Sequence, residues 1–238
     1  MAGCHFNGPD EDFDEDDLKL KTPFTAVIAG PSGCGKTWLI SKLIRNIGEV
    51  TSPPIANVIY LYSVWQEIYA DLQEHGVVFT RDIGLLDDLK SIRERNALLI
   101  IDDLESELSK SEPLRDLYTK YSHHYKISVI TIVQNYFRPG VTLKTLRSNC
   151  QYVWLGPHRT NLEGIPVIAR QLAGHKWRDF VERYDDCTGD PEGVKELPER
   201  FLTVDIHPNS LISKKTKYRS RVWDIANQLL YLDPEDAS

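Results

Sequence analysis

The sequence predicts an α/β fold whose mostly parallel central sheet is covered by helices on both faces. Three observations predict it. Phe24 to Ala29, Ala97 to Ile101 and Ile127 to Val133 are continuous, largely apolar runs, and strands apolar on both sides belong to sheets buried on both faces. Segments with helical spacing separate these runs. The first run leads directly into a glycine-rich turn and an amphipathic helix, the strand–turn–helix unit of doubly wound sheets. A chain of 238 residues has room for one such domain of roughly 200 residues with tails.

In order, the strand Phe24–Ala29 precedes the turn Gly30–Thr37 and a helix with Leu39, Ile40, Leu43, Ile44 and Ile47 on one face. After the Pro53-Pro54 break comes a strand from Ile55 to Tyr62. Helices are expected at Trp65 to Glu74 and Leu85 to Arg95, with a short strand near Val77 to Thr80. The strand Ala97–Ile101 ends in Asp102-Asp103. A helix over about 113–123 precedes the strand Ile127–Val133. Beyond Gly140, Gln151 to Leu155 reads as a strand, Pro166 to Leu172 and Trp177 to Tyr184 as helices, and Phe201 to Ile206 as a last strand. Val222, Ile225, Leu229 and Leu232 predict a final helix over Val222 to Leu232. Trp38, Trp65 and Trp154 lie in apolar patterns and are expected in the core.

Charge divides the chain into three parts. The formal net charge is -7, but Asp10, Glu11, Asp12, Asp14, Glu15, Asp16 and Asp17 form one acidic run, without which acids and bases balance. Residues 1–20 are therefore expected to be an acidic disordered arm, serving solubility, mimicking nucleic acid or docking on a partner. Residues 21–212 form the predicted catalytic domain. Residues 213–238 carry a basic segment, Lys214, Lys215, Lys217, Arg219 and Arg221, before the last helix; it is either a solvated loop or a surface for nucleic-acid phosphates. No apolar stretch approaches the ~20 residues that span a bilayer, so no membrane partner is expected. The N-terminus lacks the basic and apolar regions of a secretory leader, and Cys4, Cys34, Cys150 and Cys187 form no CxxC pair. An intracellular location follows as the expectation.

The chemistry concentrates at the ends of three strands. Gly30, Pro31, Ser32, Gly33, Cys34, Gly35, Lys36 and Thr37 match the phosphate-binding pattern G-x-x-x-x-G-K-[ST]. Gly33 and Gly35 allow successive backbone N–H groups to turn towards phosphate oxygens at a helix N-terminus. Lys36 is placed to reach the β/γ-phosphates of ATP, and the Thr37 hydroxyl to hold Mg²⁺. Asp102, at the carboxyl edge of an apolar strand, is expected to hold the same metal through water. Asp103 is expected to orient or deprotonate the attacking water, with Glu105 as the rival base. If Ile127–Val133 lies between the other two strands, Gln134 ends at the γ-phosphate and can sense it, with Asn135 as the alternative sensor. That order separates motor-type ATPases from nucleotide kinases. His123-His124 is expected to serve a core or helix-end role.

The phosphate loop, Tyr60-Leu61-Tyr62-Ser63, Leu99 to Leu104, Ser122-His123-His124, Ile127 to Asn135 and Arg147-Ser148-Asn149 occur in an order that resembles the viral genome-packaging ATPases of the FtsK/HerA superfamily. The match is strongest to the poxvirus-type and Polinton/adintovirus-like group. The resemblance spans about residues 22–206. It implies a RecA-like (ASCE) P-loop ATPase that assembles as a pentameric or hexameric ring and drives double-stranded DNA into a capsid. Capsid or portal proteins are implied partners, and the host nucleus, a cytoplasmic virus factory or the virion is the implied location. It also implies an arginine finger, for which Arg147 matches best, with Arg159 and Arg170 as rivals. A superfamily-3-like helicase and a nucleoside or nucleotide kinase are the competing readings.

Overall fold

The computed structural model describes residues 6–7, 13–86, 96–104, 111–137, 140–158, 163–190, 193 and 195–231. Short strands β1 (Phe6–Asn7) and β2 (Leu20–Lys21) precede β3 (Thr25–Ala29), which leads into α1 (Lys36–Arg45) and α2 (Ile47–Val50). Next come β4 (Thr51–Ser52), β5 (Asn57–Tyr62), α3 (Ile68–Glu74), β6 (Val78–Thr80) and β7 (Ala97–Asp102). The helical stretch from Glu112 to Tyr125 passes through a π-helical turn at Leu117–Tyr121 before β8 (Ile127–Val133). Helix Val141–Asn149, β9 (Tyr152–Leu155), helices Gly164–Ala173 and Trp177–Thr188, and β10 (Leu202–Asp205) follow. Helix Leu211–Lys215, β11 (Tyr218–Ser220) and β12 (Leu229–Leu230) close the described chain.

Among the described residues, ten strands form one sheet in the order β1-β12-β11-β10-β9-β3-β8-β7-β5-β6. From β9 to β6 every pairing is parallel; β10, β11, β12 and β1 extend the sheet antiparallel. Alternation within each strand feeds two apolar layers. Val27, Leu99, Val129 and Val153 face the layer closed by Leu117, Leu143, Leu146, Ile165 and Phe180. Ile28, Leu98, Ile130 and Trp154 face the opposite layer, under Leu39, Ile40 and Leu43 of α1 and Leu72 of α3. Each fully buried aliphatic side chain in these layers contributes ~1.5–3 kcal/mol of transfer free energy.

The ends of the chain depart from the sequence reading. Val222–Leu232 is not a helix: it is a turn, a 3-10 turn at Ile225–Asn227 and β12, and Leu232 lies outside the described residues. Val222 packs beneath α1, whereas Leu230 packs on Phe13, Leu18 and Ile212. The helical spacing therefore served two separate contacts. The Asp224 side chain accepts the backbone N–H of Asn227, a local bond that competes with helix. β11 and β12 continue the same sheet as β3.

The acidic arm also differs from expectation where it is described. Phe13, Leu18 and Leu20 are buried. Asp14 and Asp17 exchange side-chain bonds with each other's backbone N–H, at 2.8 and 3.1 Å, and Lys19 and Lys21 pair with Glu15 and Asp16. β1 pairs with β12. Asp10, Glu11 and Asp12 lie outside the described residues.

Two of the five cations of the basic segment are neutralised within the chain, while Lys214 and Lys217 are exposed. Arg219 is fully buried, 2.9 Å from the equally buried Asp205 carboxylate, and Arg221 pairs with Glu199 at 3.2 Å. Of the three tryptophans expected in the core, Trp154 is there. Trp38 and Trp65 are 55% and 41% exposed; Trp65 instead makes edge contacts with Tyr62, Tyr69 and Phe79. The expected helix at Leu85–Arg95 opens with a 3-10 turn at Ile83–Leu86, and 87–95 lies outside the described residues. His123 and His124 are exposed on the short helix Ser122–Tyr125.

Candidate nucleotide-binding site

β3 ends at Ala29, and the chain turns through Gly30–Gly35 into α1. Gly33 and Gly35 have φ of 77° and 101°, the left-handed region that side chains disfavour. Gly35 meets a second constraint, because a Cβ there would stand 2.7 Å from the Leu197 Cβ. Leu197 opens the 3-10 turn Leu197–Arg200, which packs on the loop. Lys36 Nζ stands over the loop and donates to the carbonyls of Gly30 and Pro31 at 2.7 and 2.9 Å.

The loop forms one wall of a cavity of about 620 Å³, within the size range of small-ligand sites. Lys36, Thr37, Asp102, Asp103 and Gln134 all line it. The strand order explains their convergence. β8 lies between β3 and β7, with Ile132 opposite Asp102, so the residue after Val133 emerges between the phosphate loop and the two aspartates.

Asp102 is only 6% exposed. Its Oδ2 accepts hydrogen bonds from the hydroxyls of Tyr60 and Tyr69, at 2.7 and 2.8 Å. Burial pushes its pKa upwards, and the two hydroxyls oppose that shift. The tyrosines are shifted upwards as well, mainly by burial and then by the adjoining carboxylate. Asp103 is exposed, with φ of 55°, a conformation that a short polar side chain tolerates better than a longer one. Gln134 Nε2 donates to Asp103 Oδ1 at 3.4 Å. Asn135 is engaged otherwise: its Oδ1 accepts the Phe137 N–H at 2.8 Å, and it is absent from the lining of this cavity.

Thr37 and Asp102 offer one hydroxyl and one carboxylate on the same cavity, an all-oxygen set that fits a hard divalent cation retaining waters. Glu105 and Arg159 lie outside the described residues. No arginine among the described residues lines the cavity. Arg147 Nη1 donates to the Tyr136 carbonyl at 2.9 Å, with its guanidinium 5.9 Å from the Tyr136 ring centre. Arg170 is exposed against Trp177.

Three residues of the site were not named from the sequence, and Tyr60 was named only within a motif of the resemblance, with no role at the site. Tyr60 had a signal, since strand alternation buries it with Leu98 and Ile100 on one layer. Tyr69, Glu67 and Leu197 had none; Glu67 reaches the cavity rim because the chain turns into α3 there.

Comparison with known proteins gives matches to a family profile, to solved structures and to a curated sequence. The profile of the family described as poxvirus A32 protein matches residues 10–176. The genome packaging NTPase B204 of Sulfolobus turreted icosahedral virus 2, solved with ATP-γS, superposes with a TM-score of 0.52 and 15% identity, covering 77% of this chain and 92% of that one. Its AMPPCP complex gives 0.50 and 17%, with the same coverage. These structural likenesses establish the fold. The replication factor C large subunit of Methanococcus aeolicus is 23% identical over 227 residues, 86% of this chain and 44% of that protein. The chain thus spans less than half of that relative's length.

Proposed function

The chain belongs to the poxvirus A32 protein family, and from that premise we propose that it is an ATP-hydrolysing motor subunit that translocates double-stranded DNA into a viral capsid. One observation carries this reading: β8 is inserted between β3 and β7, so that Lys36, Thr37, Asp102, Asp103 and Gln134 share one cavity. A nucleotide kinase keeps the phosphate-loop and aspartate strands adjacent, and a helicase that senses through Asn135 needs a side chain this turn already uses.

The residues divide the chemistry. Loop N–H groups and the Lys36 ammonium bind the β- and γ-phosphates. Thr37 and Asp102 hold Mg²⁺, which when bound neutralises charge on the phosphates. Asp103 orients the attacking water and accepts its proton, and Gln134, bonded to Asp103, reads the γ-phosphate. An arginine is still needed against the charge of the transferred group. We assign it to a neighbouring copy in a ring of five or six, with Arg147 as the residue named by resemblance. Capsid or portal proteins are the proposed docking partners, in the nucleus or a cytoplasmic factory of an infected cell. Among the described residues no helix is long and apolar enough to cross a membrane.

Steady-state hydrolysis tests the reading. Mg²⁺-dependent ATP turnover is expected to rise with duplex DNA more than with single strands, and Lys36→Ala is expected to lose nucleotide binding. Transfer of phosphate to a nucleoside, or undiminished turnover in Lys36→Ala, would overturn it.

A further inference from the structure

If the chain moves DNA, phosphates must be contacted somewhere, and two of the five cations of the C-terminal basic segment are already engaged: Arg219 is buried against Asp205 and Arg221 is paired with Glu199. A different positive surface lies at the corner between helices Gly164–Ala173 and Trp177–Thr188, joined by the 3-10 turn Gly174–Lys176. From Gly164 to Arg178 the sequence contains no Asp or Glu but carries Arg170, His175, Lys176 and Arg178. All four are exposed. In a chain of net charge -7, this is a local inversion of sign.

Trp177 organises the corner. Its half-buried ring packs on the core layer beneath. The Arg170 and Arg178 guanidiniums stand 4.4 and 4.7 Å from its ring centre. Cation–π attraction fixes where the two cations sit without using their N–H donors. Neither arginine has a carboxylate partner among the described residues. Two like charges are therefore held on one ring, with neither in an ion pair among the described residues.

We propose that this corner contacts the phosphate backbone of duplex DNA, an inference that rests on the DNA-motor reading above. Oriented guanidiniums match phosphate oxygens in a bidentate manner. The duplex fits better than a single strand. Single-strand binders offer aromatic faces on which bases stack, and here the one aromatic ring is already engaged by arginines.

The test measures binding of the full chain to a duplex, to a single strand of the same length and to polyglutamate across a salt series. The double variant Arg170→Ala/Arg178→Ala is expected to weaken duplex binding and to reduce the slope of log K against log salt by about 1.8, since each phosphate contact contributes ~0.9. Arg170→Lys/Arg178→Lys is expected to restore most of the slope. Affinity for a nucleotide analogue and the melting temperature report that the fold is intact, and both are expected to stay unchanged. An unchanged slope in the alanine variant, a larger loss for single strands than for duplex, or competition by polyglutamate equal to that by DNA would overturn the proposal. Absence of salt-dependent duplex binding in the unaltered chain would instead overturn the motor reading on which it rests.

Discussion

The hydroxyl of Tyr69, on α3, donates to Oδ2 of Asp102, at the end of β7, over 2.8 Å. Tyr60 of β5 donates to the same oxygen. Both bonds fall on one side of the carboxylate and fix its plane, which orients the remaining oxygen. The turn leading into α3 carries Gln66 and Glu67 on the cavity rim, so α3 connects that rim to the carboxylate.

Tyr69→Phe removes one of these bonds while conserving the ring packing against Tyr60 and Phe79. A hydrogen bond to a charged group contributes ~1.5–3 kcal/mol, and Tyr60 retains part of the orientation. The Mg²⁺ concentration for half-maximal turnover is expected to rise about tenfold, with nucleotide binding in the absence of Mg²⁺ little altered. A Mg²⁺ titration followed by both turnover and nucleotide fluorescence checks this. Equal losses with and without Mg²⁺ would assign Tyr69 to packing alone.

Asp102 also sets a pH dependence of stability. Burial holds its folded-state pKa above the ordinary carboxylate range, so the unfolded chain gives up this proton first as pH rises. Stability from this group is therefore highest at low pH, falls between the ordinary range and the raised value, and stays reduced above it. Asp102→Asn keeps an oxygen that can accept from both tyrosines and removes the charge. At pH 7 this variant is expected to melt higher by a few degrees, since each kcal/mol corresponds to ~2–4 °C in a chain of this size. It is also expected to lose Mg²⁺-dependent turnover. A lower melting temperature than that of the unaltered chain would contradict the burial argument.

What the sequence made legible follows from how locally each feature is specified. The phosphate loop was legible because its backbone requires glycine at Gly33 and Gly35 and its chemistry requires Lys36. The position of β8 was legible as a condition on Gln134, and the strand order meets it. The Tyr69–Asp102 bond was not, because it spans 33 positions and depends on the direction in which α3 leaves β5. The ends were misread for a related reason. Seven acids dominated residues 10–17, while Phe13, Leu18 and Leu20 find their partners in Ile212, Leu230 and the layer under α1. Arg219 looked like surface charge until Asp205, on the neighbouring strand, was brought against it.

The base can be assigned by three substitutions. Asp103 is bonded to Gln134 and lines the cavity, as does Glu67; Glu105 follows two residues later in the sequence. Asp103→Asn is expected to bind ATP with near-normal affinity and to hydrolyse it ~10²–10⁴-fold more slowly, the usual span of general-base catalysis. Single-turnover hydrolysis in Asp103→Asn, Glu67→Gln and Glu105→Gln ranks them directly. If either glutamine variant is the slower, the base belongs to that glutamate.

Arg147 poses the sharpest question about assembly. Its guanidinium is bonded to the Tyr136 carbonyl, two residues beyond Gln134, and stays clear of its own chain's cavity. To act in a neighbour's site it must exchange that carbonyl for a phosphoryl oxygen, an exchange the stronger charge-assisted bond favours. As a finger in trans, Arg147→Ala is expected to bind ATP normally and to lose ~10³-fold or more in turnover, the lower end of arginine-finger effects. Mixing it with Lys36→Ala subunits then restores part of the rate. In a mixed ring, one protomer has an intact pocket and its neighbour an intact arginine. A brace of the Gln134–Phe137 turn predicts otherwise, because every Arg147→Ala protomer carries its own damaged sensor turn wherever it sits. No recovery in rings with verified co-assembly therefore assigns Arg147 to the turn and moves the finger to another arginine.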